Sequence, residues 1–167
     1  MPPNKRILGI DPGLNTTGYA VLEFANGTAH LCEAGVVRSR AKHKLEQRLG
    51  EIHEGVSDVI ASFSPEVMAV EELFTHYERP RTAILMGHAR GVICLAANAA
   101  GIPVQHYAAT QVKKMLTGSG RATKQQIQLA ICREFSLPQP PDPADVADAM
   151  AIALCHIYRT KNEVNLT

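Results

Sequence analysis

The chain opens with short apolar runs and continues into longer stretches with helical spacing. Residues 6–11 are almost wholly apolar up to Asp11, and Pro12-Gly13 stops the run, which predicts a buried strand ending in a turn. Residues 18–24 predict a second strand, and residues 30–37 a third. Between them, Asn26-Gly27 is the strongest hairpin signal in the sequence. The protein therefore begins as an antiparallel meander and not as a β-α-β unit. Leu45, Leu49, Ile52, Val56, Val59, Ile60 and Phe63 share one helical face, so residues 43–62 predict an amphipathic helix. After Pro65, residues 67–72 predict a strand, 81–100 a long helix capped by Gly101, and 102–107 a short strand. Thr110 is placed to cap a brief helix to Leu116, and Gly118-Ser119-Gly120 breaks the chain before a helix over 123–135. Beyond the proline-rich residues 138–143, the last helix is expected over about 144–158, leaving 159–167 as a frayed polar tail.

This order predicts one α/β domain spanning residues 1–167, with an ordered core over about 6–158. Three antiparallel strands followed by two parallel crossover strands give a mixed five-stranded sheet with helices on both faces. A composition of 46% hydrophobic and 20% charged residues suits a single globular core. The net charge of +1 argues neither for nor against a nucleic-acid partner, so local clusters decide. Basic residues gather at Arg79 and Arg81, at Lys113 and Lys114, and at Arg121 and Lys124, although a solvated surface is the ordinary reading of such groups. Cys32, Cys94, Cys132 and Cys155 are widely spread without zinc spacing, and read as small hydrophobes in a reducing compartment. The longest apolar runs, such as 149–155, fall short of the roughly 20 residues a bilayer requires. With no signal peptide visible, a cytoplasmic, non-membrane protein is expected.

Four acids carry the candidate chemistry. Asp11 closes the first strand, Glu71 and Glu72 lie in the fourth, and Asp145 and Asp148 stand three apart near the start of the last helix. Each adjoins an apolar run, where an ionised carboxylate is costly unless a positive group neutralises it. No arginine or lysine is close to them in sequence, which points to a hard divalent cation with oxygen ligands, Mg²⁺ or Mn²⁺. Competing roles exist for each. Asp before Pro-Gly is a common turn starter, and acids near a helix N-terminus favour the macrodipole, which suits Asp142 and Asp145 better than Asp148. Glu71 and Glu72 must point to opposite faces of their strand, and periodicity alone does not choose between them. On a helix, Asp145 and Asp148 lie about 60° apart on one face. The seven histidines are scattered without ligand spacing.

Five collinear segments resemble the RuvC crossover junction endodeoxyribonucleases: Ile-Leu-Gly-Ile-Asp-Pro-Gly with Thr-Gly-Tyr, Ala-Val-Glu-Glu-Leu-Phe, Gly-His-Ala-Arg-Gly-Val, Tyr-Ala-Ala-Thr-Gln-Val-Lys and Ala-Asp-Val-Ala-Asp-Ala-Met-Ala-Ile-Ala. The resemblance runs from about residue 6 to residue 158. It implies a ribonuclease H-like fold, a homodimer, and metal-dependent resolution of Holliday junctions by paired nicks in strands of like polarity. It also implies two Mg²⁺ ions per site and a RuvA-RuvB branch-migration complex as partner. By the same resemblance the catalytic and metal-binding acids are Asp11, Glu71, Asp145 and Asp148, which selects Glu71 over Glu72 and leaves Asp142 as a helix-start residue. Phe74 then falls near the junction centre, where it can stack on an unpaired base, and Lys113 and Lys124 fall beside the site and the DNA backbone. Arg79 and Arg121, from the basic clusters, join them as candidate DNA contacts.

Three other readings compete. The Gly-Ile-Asp-Pro-Gly hairpin resembles the phosphate-binding hairpin of actin-like kinases and chaperones, but that fold needs two such domains around a nucleotide. A ribonuclease H-like nuclease acting on ribosomal RNA precursors shares the hairpin, but Glu-Glu-Leu-Phe and the Asp145/Asp148 spacing favour the junction resolvase. A non-catalytic junction-binding scaffold is disfavoured by the intact acidic set.

Overall fold

The computed structural model describes residues 4–73 and 79–166. The strands are β1 (Lys5–Asp11), β2 (Thr16–Ala25), β3 (Thr28–Arg38), β4 (Val67–Glu71) and β5 (Val104–Tyr107). The helices are α1 (Leu45–Phe63), α2 (Pro80–Ala99), α3 (Ala109–Thr117), α4 (Lys124–Glu134) and α5 (Ala144–Val164). One mixed sheet has the order β3-β2-β1-β4-β5. β1/β2 and β2/β3 are antiparallel, and β1/β4 and β4/β5 are parallel. This is the expected ribonuclease H-like arrangement.

Local chemistry explains the element boundaries. Asn26 and Gly27 both adopt positive φ, 53° and 81°, the backbone a two-residue hairpin requires. β3 carries one extra residue: Val21 faces Glu33 and Leu22 faces Leu31, so Cys32 bulges out of the ladder. Pro80 opens α2, and Gly101, at φ 73°, turns the chain away after it. Thr123 and Gln126 cap α4 reciprocally, at 3.2 and 2.8 Å.

Two layers of core flank the sheet. Leu8, Ile10, Val21, Met68 and Val70 pack under α1 and α2, against Ile52, Val56, Ala89 and Ile93. Ile7, Ala20, Leu22, Ala69 and Tyr107 pack against Ala149, Met150, Ala153, Leu154 and Ile157 of α5, with α3 and α4 outside. α5 lies close on β1 and β2 because both strands carry glycine there. A Cβ on Gly9 would stand 2.2 Å from the Ala149 carbonyl oxygen, and one on Gly18 would stand 2.1 Å from that of Asp145.

Three sequence expectations are corrected. The last helix continues six residues past Tyr158, to Val164, instead of fraying. The Arg159–Glu163 pair (3.0 Å) and the Lys161 ammonium on the Gly27 carbonyl (3.0 Å) hold the extension. Thr110 does not cap α3; the chain enters at Ala108, whose N–H donates to Gln111 Oε1 at 2.8 Å. Asp142 lies outside α5 and makes no cap, since Pro143 occupies that position. Among the described residues, no helix is long and apolar enough to cross a membrane.

Candidate active site

The strand ends and the first turns of α5 meet at one rim of the sheet. β1 delivers Asp11 as its final residue, opposite Gly18, and β4, parallel to β1, delivers Glu71 as its final residue beside Tyr107 of β5. The following Glu72 is exposed and outside the strand, so the structure places Glu71, not Glu72, toward the cleft. α5 runs antiparallel to β1, which brings Asp145 and Asp148 to the same rim. The glycines at 9 and 18 make that approach sterically possible.

The cleft has a water-accessible volume of about 260 Å³ and is lined by Glu71, Lys113, Lys124 and Asp148, with apolar walls from Val112, Ile127 and Ile152. Burial, reinforced by Asp148, Glu71 and Asp145 as negative neighbours, pushes the Asp11 carboxyl up to about 8, against the pull of Lys124. Burial and Asp148 likewise raise Glu71, opposed by Lys113. Burial raises Asp148, with Lys124 and a hydrogen bond from Asp11 opposing. Each of these three carboxyls thus senses at least one other acid of the set, and Asp145 acts on Asp11 and Asp148 as a negative neighbour.

No basic residue adjoins these acids in sequence, but the fold brings two beside them. Lys124, remote in sequence, stands 3.8 Å from Asp148, and Lys113 faces Glu71. The Lys124–Asp148 separation is long and the lysine is 61% exposed, so the pair contributes little and leaves most of the negative charge in place.

Among the described residues, no three Asp, Glu, His or Cys side chains are drawn together as a finished metal cage. The arrangement is instead an open set of oxygen donors with excess negative charge in a partly buried cleft. That fits Mg²⁺ or Mn²⁺, which take hard oxygen ligands and retain waters, and does not fit zinc. Of the candidate DNA contacts, Lys113 and Lys124 line the cleft, Arg79 and Arg121 are exposed and do not line it, and Phe74 lies outside the described residues.

Sequence reasoning missed two arginines that hold the site's backbone. Arg90 of α2 donates through Nε to the Glu71 carbonyl at 3.0 Å and also contacts His106 of β5. Arg48 of α1 reaches Asn15 Oδ1 and, at 2.9 Å, Ser39 Oγ, fastening the loop after Asp11. Arg48 has no local sequence signal, whereas Arg90 stands in Gly-His-Ala-Arg-Gly-Val, one of the five collinear segments, which marks its position but not its role, because each arginine acts on a segment far away in the chain.

A ribonuclease H-like sheet with paired strand-end carboxylates and a helical acid pair defines the class: an α/β nuclease built around an acidic cleft. The family model described as crossover junction endodeoxyribonuclease RuvC matches residues 7–156, and the chain belongs to that family. A crossover junction endodeoxyribonuclease RuvC of Rhodopirellula baltica is 60% identical over 159 residues, covering 95% of this chain and 89% of the relative. One of Desulforamulus reducens is 45% identical, covering 90% and 91%. The structure of Thermus thermophilus RuvC in complex with Holliday junction substrate superposes with a TM-score of 0.89 at 36% identity, covering 95% of this chain and 96% of that one.

Proposed function

We propose that the protein is a metal-dependent endonuclease that resolves Holliday junctions by symmetric nicking of two strands of like polarity. The observation that carries this reading is a lysine-flanked cleft lined by Glu71 and Asp148, with Asp11 electrostatically coupled to both and to Asp145, in a chain of the RuvC family. RuvC-family nucleases are metal-dependent, and the Thermus relative is described with a Holliday junction. The two hydrophobic layers share one sheet, which supports reading the chain as a single nuclease domain.

In this reading the four carboxylates hold two Mg²⁺ ions. Bound there, the ions supply Lewis acidity to the scissile phosphodiester and acidify the attacking water. The chain's own groups do the rest. Asp11 and Glu71, at the ends of adjacent strands, would fix where the cations sit, and Lys113 and Lys124 present cationic groups to phosphate oxygens entering the cleft. The water oxygen bonds to phosphorus and gives up a proton to solvent as the bond to the leaving sugar oxygen breaks, and the leaving oxygen takes up a proton from solvent.

Two cuts require two sites, so the active form is a two-fold homodimer, with a RuvA-RuvB branch-migration complex as the partner machinery. α2 is the proposed interface, since it leaves Ile84 62% and Leu95 55% exposed on its outer face.

Incubation of a synthetic four-way junction with the protein and Mg²⁺, beside a linear duplex of the same sequence, tests the function. Paired symmetric nicks confined to the junction are expected. Equal cutting of both substrates, or of neither, would overturn the reading.

A further inference from the structure

The rim beside Asp11 carries a second basic segment that the cleft does not use. Between the end of β3 and the first turn of α1, residues 38–48 contain Arg38, Arg40, Lys42, His43, Lys44 and Arg48 against the single acid Glu46. Two anchors fix this segment. Glu51 of α1 accepts from the Arg40 backbone N–H at 2.7 Å and pairs with His43 Nδ1. Arg48 binds Ser39 Oγ, and Ser39 in turn donates to the Leu14 carbonyl through its hydroxyl and to the Asn15 carbonyl through its N–H. The segment is thus fastened both to α1 and to the loop that follows Asp11.

Its cations are treated differently from its backbone. Arg38, Arg40, Lys42 and Lys44 are exposed, and none takes part in the ion pairs formed among the described residues. Arg38 makes only a 3.2 Å bond to Thr16 Oγ1. A pinned backbone whose exposed cations form no ion pair among the described residues, Arg40 alone sensing Glu51, is suited to an external polyanion, because its side chains need not first break internal pairs.

The sheet register locates the segment. Asp11 faces Gly18, and Gly18 faces Val36, so β3 passes two strand spacings from Asp11, about 10 Å. β3 then ends at Arg38, at the same rim. Lys113 and Lys124 flank the cleft from α3 and α4, which follow β5 on the other side of β1. Asp11 therefore lies between two basic tracts, one on each side. One duplex arm can thus present phosphates to the second tract while another phosphate occupies the cleft.

We infer that residues 38–44 form a second phosphate-binding tract, which takes the backbone of the duplex arm on the β3 side of the cleft. The inference rests on the junction-nuclease reading and adds a binding surface to it.

The test combines Arg40→Gln, Lys42→Gln and Lys44→Gln in one variant. Junction affinity is measured over a salt series without divalent metal, and single-turnover cutting is measured with Mg²⁺ at saturating protein. The slope of log affinity against log salt should flatten by about two to three phosphate contacts, and Kd at 0.1 M salt should rise roughly tenfold or more. The saturated cutting rate should stay within about twofold, because no cleft residue changes. The single variant Lys42→Gln, expected to lose about one contact, keeps the test valid if the triple variant does not fold. Lys161→Gln is the control, since that ammonium sits at the far end of the molecule on Gly27 and Phe24. An unchanged slope in the tract variants overturns the inference, as does an equal flattening in Lys161→Gln, which would reduce the effect to net charge. A parent protein that binds junction no more tightly than linear duplex would remove the junction reading itself, and the inference with it.

Discussion

Asp11 is held in a state that the rest of the protein does not favour: its carboxyl is buried, senses three other acids and is only weakly opposed by Lys124. A site arranged in this way exchanges stability of the metal-free protein for cation affinity. Asp11→Asn should therefore reduce nicking by on the order of a thousandfold or more while leaving junction affinity nearly unchanged. Without metal, the variant should melt at or above the parent temperature, because it removes like-charge crowding. Saturating Mg²⁺ at about 100 times its Kd should stabilise the parent by about 2.7 kcal/mol and the variant by much less. Parallel melting curves with and without EDTA check both statements. A second titratable residue lies deeper in the fold. His156 Nδ1 is 2.6 Å from the Tyr107 hydroxyl, and burial, with Arg159 and Lys5 nearby and Glu163 opposing, holds its pKa below the ordinary 6.5. The unfolded chain then takes up this proton first, so the His156 contribution to stability is present above about pH 6.5 and is lost as pH falls through the window beneath it. One such group contributes a slope of at most about 1.4 kcal/mol per pH unit. His156→Gln should flatten the parent's decline below pH 6.5, as read from urea midpoints across pH.

Elements position these residues more than their own side chains do. α5 reaches β1 and β2 only because Gly9 and Gly18 leave space for its backbone. Gly9→Ala must push α5 away from the sheet, since the obstructing atom is a carbonyl oxygen and not the tip of a mobile side chain. The expected cost is about 1 to 3 kcal/mol of stability, with a loss of cutting larger than any loss of binding, because Asp148 retreats from Asp11. Thermal melting together with a rate-against-affinity comparison reads both effects. The elements were also what the sequence revealed best. Alternation and turn residues located all five strands, and the spacing from Leu45 to Phe63 located α1, because those signals are local. Thr110 misled because Gln111 caps the helix entrance from inside, and the end of α5 misled because Lys161 is held by Gly27, 134 residues away in the chain. The proposed site at Asp11, Glu71, Asp145 and Asp148 is read from collinear motifs. Arg48 was not legible, and Arg90 was legible only as a member of Gly-His-Ala-Arg-Gly-Val and not in its role, since their partners are backbone carbonyls and side chains contributed by distant segments.

At the scale of the whole molecule, the proposed dimer places one cleft on each subunit, and α2 links the interface to the chemistry. The same helix that exposes Ile84 and Leu95 holds the Glu71 carbonyl through Arg90. Ile84→Glu with Leu95→Glu should weaken self-association by roughly tenfold or more, because it brings four carboxylates into one apolar contact. Sedimentation velocity should then show monomer, and paired nicking of a junction should give way to slow, uncoordinated single nicks. A dimer that persists in this variant would place the interface elsewhere.

The bulge at Cys32 has a consequence for handling at high concentration. β3 is a long outer strand, and an outer strand with an even ladder invites a second molecule to continue the sheet. The extra residue interrupts the regular spacing of donors and acceptors partway along and strengthens the local twist, so a neighbouring copy cannot register along the full length. The protein is thereby discouraged from gathering into fibres.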